Sequence, residues 1–253
     1  MCASLDRAAP RHGLTARRGV GLVLAVATTW LVGCGDVQGM ADAAVGTGGD
    51  GPVSPCFPNP CLLSDDFDGA TLNTTMWGMA VGGGGTATEA NGLLTLRLPA
   101  VANAYADVYS LVGFPTGTTF EAKVTFSAGQ VYDHKGAGFA SARIDANCNM
   151  GETDAAMFRG QDGDGYVETK VSGSTPGCTF TLTTPGYRGG ASTLQVSRLA
   201  DRVLFRKDNA SLDPTMTNLP TGLLPVRFSA YTYTIAPTAP VQIDVDYVRV
   251  SRP

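Results

Sequence analysis

The stretch TFEAKVTF, residues 119–126, shows the pattern that decides the fold class of this chain. Apolar residues occupy every second position, and polar residues lie between them (Phe120, Ala122, Val124 and Phe126 against Glu121, Lys123 and Thr125). Successive side chains of a β-strand point to opposite faces, so this period of two predicts a strand with one buried and one solvated face. Such a strand is typical of an antiparallel sheet that packs one face on a core.

The same alternation recurs through the rest of the chain. Four further stretches carry it (residues 92–98, 192–208, 224–234 and 241–250). Asn91-Gly92 favours a tight turn before the first of them, and residues 192–208 predict a hairpin that turns near Ala200-Asp201. No segment offers three helical turns with an apolar stripe. The sequence therefore predicts one all-β domain over residues 62–253, a two-sheet antiparallel sandwich or jelly roll.

Residues 1–33 have the features of an export signal. Four arginines and a single acid precede GVGLVLAVATTWL, residues 19–31, an apolar run that is too short to span a bilayer. The run ends in Leu-Val-Gly-Cys at residues 31–34, which resembles the lipobox of bacterial lipoproteins. The resemblance implies cleavage before Cys34, lipidation of Cys34 and a place in the bacterial cell envelope, facing the periplasm or the cell surface. The alternative is an ordinary secretory signal followed by a coincidental cysteine.

The segment after the signal, residues 34–61, is predicted to be the lipidated cysteine and a flexible tether. Gly, Ala, Asp and Pro dominate it, and it has little apolar surface to offset the chain entropy lost on folding. Loss of residues 1–33 leaves 14 basic and 21 acidic side chains, a net charge of −7, without a Lys/Arg cluster. We therefore expect no nucleic-acid partner, and we expect membrane contact through the lipid anchor.

Four cysteines besides Cys34 remain after removal of the signal. An even number in an oxidising compartment predicts two disulfides. The spacing favours a Cys56–Cys61 bond, which closes the loop CFPNPC, and a Cys148–Cys178 bond. A four-thiolate metal site is the alternative, but such a site needs closely spaced pairs, and Cys148 and Cys178 are far apart.

Two terminal motifs carry a second family resemblance. LSDDFDGATLNTTMW (63–77) opens the domain and VDYVRV (245–250) closes it, and an Asn-Gly turn precedes an alternating Leu strand. Together these motifs resemble the concanavalin A-like lectin/glucanase superfamily, in particular its laminin-G-like and laminarinase-like bacterial members. The resemblance implies a two-sheet antiparallel jelly roll whose first and last strands are neighbours.

GETDAAM, residues 151–157, is the candidate catalytic segment. The resemblance to laminarinase-type hydrolases implies a nucleophile and a general acid on one strand, as Glu-x-Asp-x-Glu or Glu-x-Asp-x-x-Glu. Retaining hydrolysis needs two carboxyl groups about 5–5.5 Å apart, which one strand face provides at i and i+4, or at i+5 with a β-bulge. Glu152 and Asp154 match the first two positions, but Ala156 and Met157 stand at the third. We therefore expect a non-catalytic segment.

Two other polar residues bear on catalysis. Glu168 is the candidate remote acid for a divergent glycoside hydrolase that uses Glu152. His134 is the only histidine after the signal, and no Gly-x-Ser-x-Gly elbow accompanies it. We expect His134 to be a loop residue.

A structural Ca²⁺ ion is implied by the resemblance to laminarinase-like proteins, at the place where the first and last strands meet. Asp246 of VDYVRV matches the ligand position, and Asp66 or Asp68 is expected nearby. Hard oxygen ligands suit calcium. Strict alternation puts Ile243 and Tyr247 on one strand face, and Asp246 with Val248 on the other. The alternative is an exposed or hydrogen-bonded Asp246.

RFSAYTY, residues 227–233, is the candidate ligand-binding strand. If Phe228 points to the core, Arg227, Tyr231 and Tyr233 share the outer face. Tyrosine rings there would stack on a pyranose face while Arg227 donates hydrogen bonds to hydroxyl groups. The alternative is an aromatic pair that only stabilises the sheet.

The sequence thus favours an envelope lipoprotein that binds a polysaccharide or another envelope component without catalysis. A divergent glycoside hydrolase and a structural or protein-interaction module are the two alternatives.

Overall fold

The computed structural model describes residues 61–128, 131–142, 153–161, 164–171, 179–183, 190–212 and 214–252. The predicted signal and nearly all of the predicted tether, with Cys34 and Cys56, lie outside the described residues, as do Cys148, Glu152 and Cys178. Cys61 is disulfide-bonded, but its expected partner is among the residues not described. The pairing therefore stays a prediction.

The described residues form fifteen strands and no helix. In chain order they are β1 (Leu63–Asp65), β2 (Trp77–Gly82), β3 (Thr86–Ala90), β4 (Leu93–Leu98), β5 (Tyr105–Phe114), β6 (Thr118–Phe126), β7 (Asp133–Ala140), β8 (Ala155–Gln161), β9 (Asp164–Val171), β10 (Thr179–Thr183), β11 (Gly190–Arg198), β12 (Val203–Lys207), β13 (Ala210–Ser211), β14 (Leu224–Thr232) and β15 (Val241–Ser251). Over this part of the chain, no helix is long and apolar enough to cross a membrane.

The strands make two antiparallel sheets. The first sheet has the order β13-β12-β11-β6-β15-β4-β3, and β1 also pairs with β15. The second sheet has the order β10-β9-β8-β7-β14-β5-β2. Strands far apart in sequence are neighbours in both sheets, as β6 with β15 and β5 with β14 show. The chain therefore passes between the sheets as a jelly roll, and the predicted all-β sandwich is confirmed.

The core lies between the sheets and contains the apolar residues that the alternation predicted. Strand β6 buries all four apolar residues of TFEAKVTF, and β4 buries its three alternating leucines. In the second sheet, β14 contributes Val226, Phe228 and Ala230 to the same core. Phe120 and Phe228 meet across the sheets with ring centroids 6.0 Å apart. Burial of large apolar side chains like these, at roughly 1.5–3 kcal/mol each, stabilises the sandwich.

The two ends of the domain are held together at β15. Strand β1 pairs with β15 from Leu63 opposite Val250 to Asp65 opposite Val248, so the first and last strands are neighbours as predicted. Asp65 accepts a hydrogen bond of 2.7 Å from Nε1 of the buried Trp77. These contacts fix the opening motif against the closing one.

A β-bulge corrects the alternation expected for the last strand. The register of β15 against β6 shifts between Val245 and Tyr247, so Asp246 is the extra residue. A bulge inserts one residue without a partner and resets which face the following side chains share. As a result Val248 is buried in the core, whereas Tyr247 is only half-buried and donates a hydrogen bond of 3.1 Å to Glu121.

Candidate ligand-binding face of the second sheet

The face of the second sheet that turns away from the core carries charged and aromatic side chains, and we call it the polar face. Its members alternate with core residues in five adjacent strands. They are Tyr105, Asp107 and Tyr109 of β5, Arg227, Ser229 and Tyr231 of β14, His134 of β7, Met157 and Arg159 of β8, and Tyr166, Glu168 and Lys170 of β9. The charged members are all buried. Buried charges require partners, so their contacts define what the face can do.

One end of the polar face is an ion network centred on Glu168. Arg159 Nε donates to Glu168 Oε2, and Lys170 Nζ lies 3.9 Å from Glu168 Oε1. The Arg159 guanidinium also contacts His134 Nε2. Gly136 faces Arg159 in the register, and it leaves room for Met157, whose Cε would lie 2.7 Å from a Cβ at that position. The network therefore ties three neighbouring strands together through side chains.

His134 lies in strand β7 and not in a loop, which corrects the prediction made from its sequence context. Its partner in the register is Tyr231, and their rings stack with centroids 4.2 Å apart and planes 13° apart. Tyr233 meets the Tyr231 ring edge-on at 5.8 Å. The strand was not predicted because polar residues surround His134 and the glycines and alanines of β7 give little period-two signal.

The face assignment of Arg227 and Tyr231 agrees with the alternation, but their exposure does not. Both side chains are 3% exposed, and one face of the Tyr231 ring is occupied by His134. A ring stacked in this way cannot offer that face to a pyranose. Tyr233 is half-buried and lies just beyond the end of β14. Tyr105, opposite Tyr231 in β5, is also half-buried, so these two rings are more accessible than Tyr231.

Arg227 lies near the other end of the polar face. A register shift between Pro225 and Arg227 marks an irregularity where β14 begins. The guanidinium carbon is 4.8 Å from the centroid of the Tyr109 ring, and Nη1 is 3.8 Å from Asp107 Oδ2. The Tyr109 ring in turn lies against Gly78 of β2, where a Cβ would come within 2.5 Å of it.

The candidate catalytic segment is only partly described, since Glu152 lies outside the described residues. Asp154 precedes β8 and is tied to Ser141, whose Oγ accepts its backbone N–H at 3.1 Å. The alternation of β8 puts Asp154 on the side of Ala156, which is in the core, and not on the side of Met157. Consistent with this, the Asp154 charge acts on the buried Arg198, whose pKa is lowered to about 10 by burial and raised in part by Asp154.

Met157 occupies the polar face where the third carboxylate of the hydrolase motif would stand. Its partner in the register is Glu168, the candidate remote acid. Both oxygens of Glu168 face cations, so this carboxylate serves the ion network.

Asp107 and Glu168 are two buried carboxylates of this face in the part of the chain that the structure describes. They lie on β5 and β9, with β14, β7 and β8 between them. Four strand spacings of about 4.8 Å separate them by on the order of 19 Å along the sheet. Glycoside hydrolysis uses carboxyl groups about 5–5.5 Å apart with retention and about 6.5–9.5 Å apart with inversion. This pair therefore does not form a hydrolytic site.

The calcium site that the closing motif predicts stays a prediction, and its two expected carboxylates each face a cation. Asp246 pairs with Lys123, and Asp66 pairs with Arg249. A cation already neutralises each carboxylate, and hard divalent ions need several free oxygen ligands. Over the part of the chain that the structure describes, no three His, Cys, Asp or Glu side chains group around a metal position.

Sequence reasoning missed Arg159, Asp107 and the role of Glu168. A weak signal was present, since Glu168 and Lys170 alternate with Val167 and Thr169 in β9. The pairing of these strands, which brings Arg159 beside Glu168, depends on contacts that no local pattern reveals.

Comparisons with known proteins establish the fold. No protein-family model matches the chain, and no curated protein sequence matches it. Solved structures do match over the domain. A β-1,3-glucanase from Mycobacterium marinum shares 15% identity and a TM-score of 0.56, covering 76% of this chain and 99% of that one.

Two other similar structures have different descriptions. A pseudo β-1,3-glucanase and immunostimulatory antigen of Mycobacterium tuberculosis shares 13% identity, with a TM-score of 0.57 and coverage of 76% and 99%. An endo-acting O-glycanase of human gut bacteria, described as initiating mucin breakdown, shares 16% identity, with a TM-score of 0.58 and coverage of 77% and 100%. At these identities the likeness concerns the fold alone, and the chain shares the two-sheet antiparallel jelly roll of these structures.

Proposed function

We propose that this protein is a non-catalytic carbohydrate-binding module and that the polar face is its binding surface. The observation that carries the proposal is the polar face itself. It keeps tyrosines and an arginine on the jelly-roll sheet, while Met157 stands at the third carboxylate position. The similar structures support a carbohydrate ligand, because their descriptions name glucanases, a pseudo β-1,3-glucanase and O-glycanases.

The accessible aromatic groups support a sugar contact at the end of the face near Tyr105 and Tyr233. Aromatic rings present an apolar surface that packs on the C–H groups of a pyranose, and the phenol hydroxyl reaches a polar partner. Tyr231 supports them from below, held by its stack on His134. Of the residues that the alternation suggested, the proposal therefore keeps Tyr233 and replaces Tyr231 by its neighbour Tyr105.

Retention of the purified protein on insoluble β-1,3-glucan and on immobilised mucin tests this proposal. We expect selective retention on one polymer, unchanged polymer length, and loss of retention in Tyr233→Ala but not in Tyr233→Phe. A folded sample that no polymer retains would contradict carbohydrate binding and favour a protein-interaction role. Release of soluble sugar that Glu152→Gln abolishes would instead favour a divergent hydrolase.

We also propose that the protein is a lipoprotein of the cell envelope, anchored through Cys34 and held by the tether 34–61. The lipobox-like Leu-Val-Gly-Cys after a short apolar run supports it. Metabolic labelling with an alkyne fatty acid should modify the protein, and Cys34→Ala should abolish the label and release the protein from membranes. Labelling that persists in Cys34→Ala would overturn the anchor assignment.

A further inference from the structure

A cavity of about 340 Å³ opens at the end of the polar face opposite the accessible tyrosines. The end of β5, the start of β14 and Ala142 after β7 surround it. Its lining consists of Tyr109, Ser110, Leu111, Val112, Gly113, Ala142, Leu223, Pro225 and Arg227. The volume lies at the lower end of the range for small-molecule sites.

The walls of the cavity are aliphatic and reach into solvent. Leu111, Val112 and Leu223 are more than half exposed, at 55%, 56% and 69%. Strand β2 begins at Trp77 opposite Ser110, so β5 has no β2 partner in the register beyond that point. Gly113 lets the opposite wall approach, since a Cβ there would lie 3.0 Å from Leu223 Cβ. Apolar surface left exposed around a concavity is typical of a binding site.

Among the described residues, Arg227 is the charged group of the lining. It is buried, and its Nε has no hydrogen-bond partner in the part of the chain that the structure describes. Its contact with Asp107, at 3.8 Å from Nη1 to Oδ2, is longer than a hydrogen bond. A guanidinium has five N–H donors, and a buried donor without an acceptor is costly. Over the described residues, the cavity is therefore lined by a guanidinium whose Nε–H lacks an acceptor.

The Ser110 hydroxyl in the lining is already engaged in two hydrogen bonds and offers a ligand little. Ser110 Oγ donates to the Val112 carbonyl at 2.7 Å and accepts from the Val226 N–H at 2.9 Å. A sugar would lose hydrogen bonds from most of its hydroxyl groups against such walls. A carboxylate, by contrast, matches the planar fork of a guanidinium, and an apolar body matches the aliphatic walls.

We propose that this cavity binds a small organic carboxylate with an apolar body, whose carboxylate accepts hydrogen bonds from Arg227. The body lies between Leu111, Val112 and Leu223. Asp107 offsets part of the attraction, so the affinity is modest and depends on both the charge and the apolar body. The site is separate from the proposed sugar contacts of Tyr105 and Tyr233, and it does not depend on carbohydrate binding.

Isothermal titration calorimetry of the purified protein with octanoate tests the proposal. We expect saturable binding of octanoate below its micelle concentration, and at least tenfold weaker binding of 1-octanol, which lacks the charge, and of glucuronate, which lacks the apolar body. Binding of glucuronate in place of octanoate would overturn the ligand class. Equal binding of 1-octanol would overturn the role of Arg227, and no binding of octanoate would overturn the site.

Two variants and a control locate the binding. Arg227→Met should weaken octanoate binding at least tenfold, and so should Leu223→Asp, which changes an exposed side chain and leaves the core intact. Ile235→Asp is the matched control, since Ile235 is 53% exposed and lies outside the cavity. Leu223→Asp should keep polysaccharide retention, and Tyr233→Ala should keep octanoate binding. Unchanged octanoate binding in Leu223→Asp would refute the assignment.

Discussion

Replacing Glu168 by Gln should reveal, through the free energy of unfolding, how deeply the ion network of the polar face is buried. Glu168 is 5% exposed, Arg159 is 1% exposed and Lys170 is 5% exposed. Two charges about 4 Å apart interact by roughly 4 kcal/mol at an effective dielectric of about 20. Removing one partner of a buried pair costs about 3–5 kcal/mol, because the remaining charge is left buried. We therefore expect Glu168→Gln to lower the free energy of unfolding by about 3–5 kcal/mol.

Urea unfolding followed by tryptophan fluorescence measures this loss. For a domain of this size, such a loss corresponds to a fall in Tm of about 10 °C. A double-mutant cycle with Arg159→Met separates the pair interaction from the rest, and we expect the double variant to lose about 2–3 kcal/mol less than the sum of the single variants. The slope of the unfolding free energy against urea should stay unchanged.

A loss below 1 kcal/mol in Glu168→Gln, or additive single variants, would refute the reasoning. Either result would mean that water reaches the network in solution and screens its charges. The exposed pair of Lys123 with Asp246 provides the matched comparison, because its side chains are 47% and 43% exposed.

Three further predictions concern other parts of the domain. Asp246→Asn should cost less than about 1 kcal/mol, and a calcium chelator should leave the Tm unchanged, whereas a fall in Tm on chelation would show that calcium displaces Lys123. Burial and the nearby acid Asp65 raise the pKa of Glu89, so the folded state keeps this proton to a higher pH than the unfolded chain does, and the free energy of unfolding falls as pH rises above about 4.5. Glu89→Gln should therefore raise the Tm at pH 7 but not at pH 3.5. An equal effect at both pH values would contradict this. Arg198→Met should lower the free energy of unfolding by about 3 kcal/mol, because the guanidinium donates to three backbone carbonyls, and a stable variant in chemical denaturation would rule out that clamp.

Local alternation carried most of the fold prediction. Strand β6 buries the apolar residues of TFEAKVTF, and the hairpin of β11 and β12 turns where Ala200-Asp201 predicted it. Alternation follows from backbone geometry alone, so a sequence reader can use it without knowing the partner strands. It failed after Asp246, because a β-bulge is set by the pairing of β15 with β6 and leaves no clear mark in the sequence.

For the candidate site, too, local alternation predicted the faces of side chains but not their partners in distant strands. Alternation put Arg227 and Tyr231 on one face, which the strand register confirms. It said nothing about His134, which stacks on Tyr231, because the two residues are 97 positions apart in the chain. Exposure depends on what packs against a face, and that is a property of the assembled sheet.

By itself, the sequence determined the strand class and the replacement of the third carboxylate by Ala156 and Met157. Only the tertiary structure decided that Glu168 joins an ion network and that Arg227 lies in an aliphatic cavity. The physical reason is that period-two patterning is local, whereas the partners of a buried charge come from strands that are distant in sequence and adjacent only in the folded sheet.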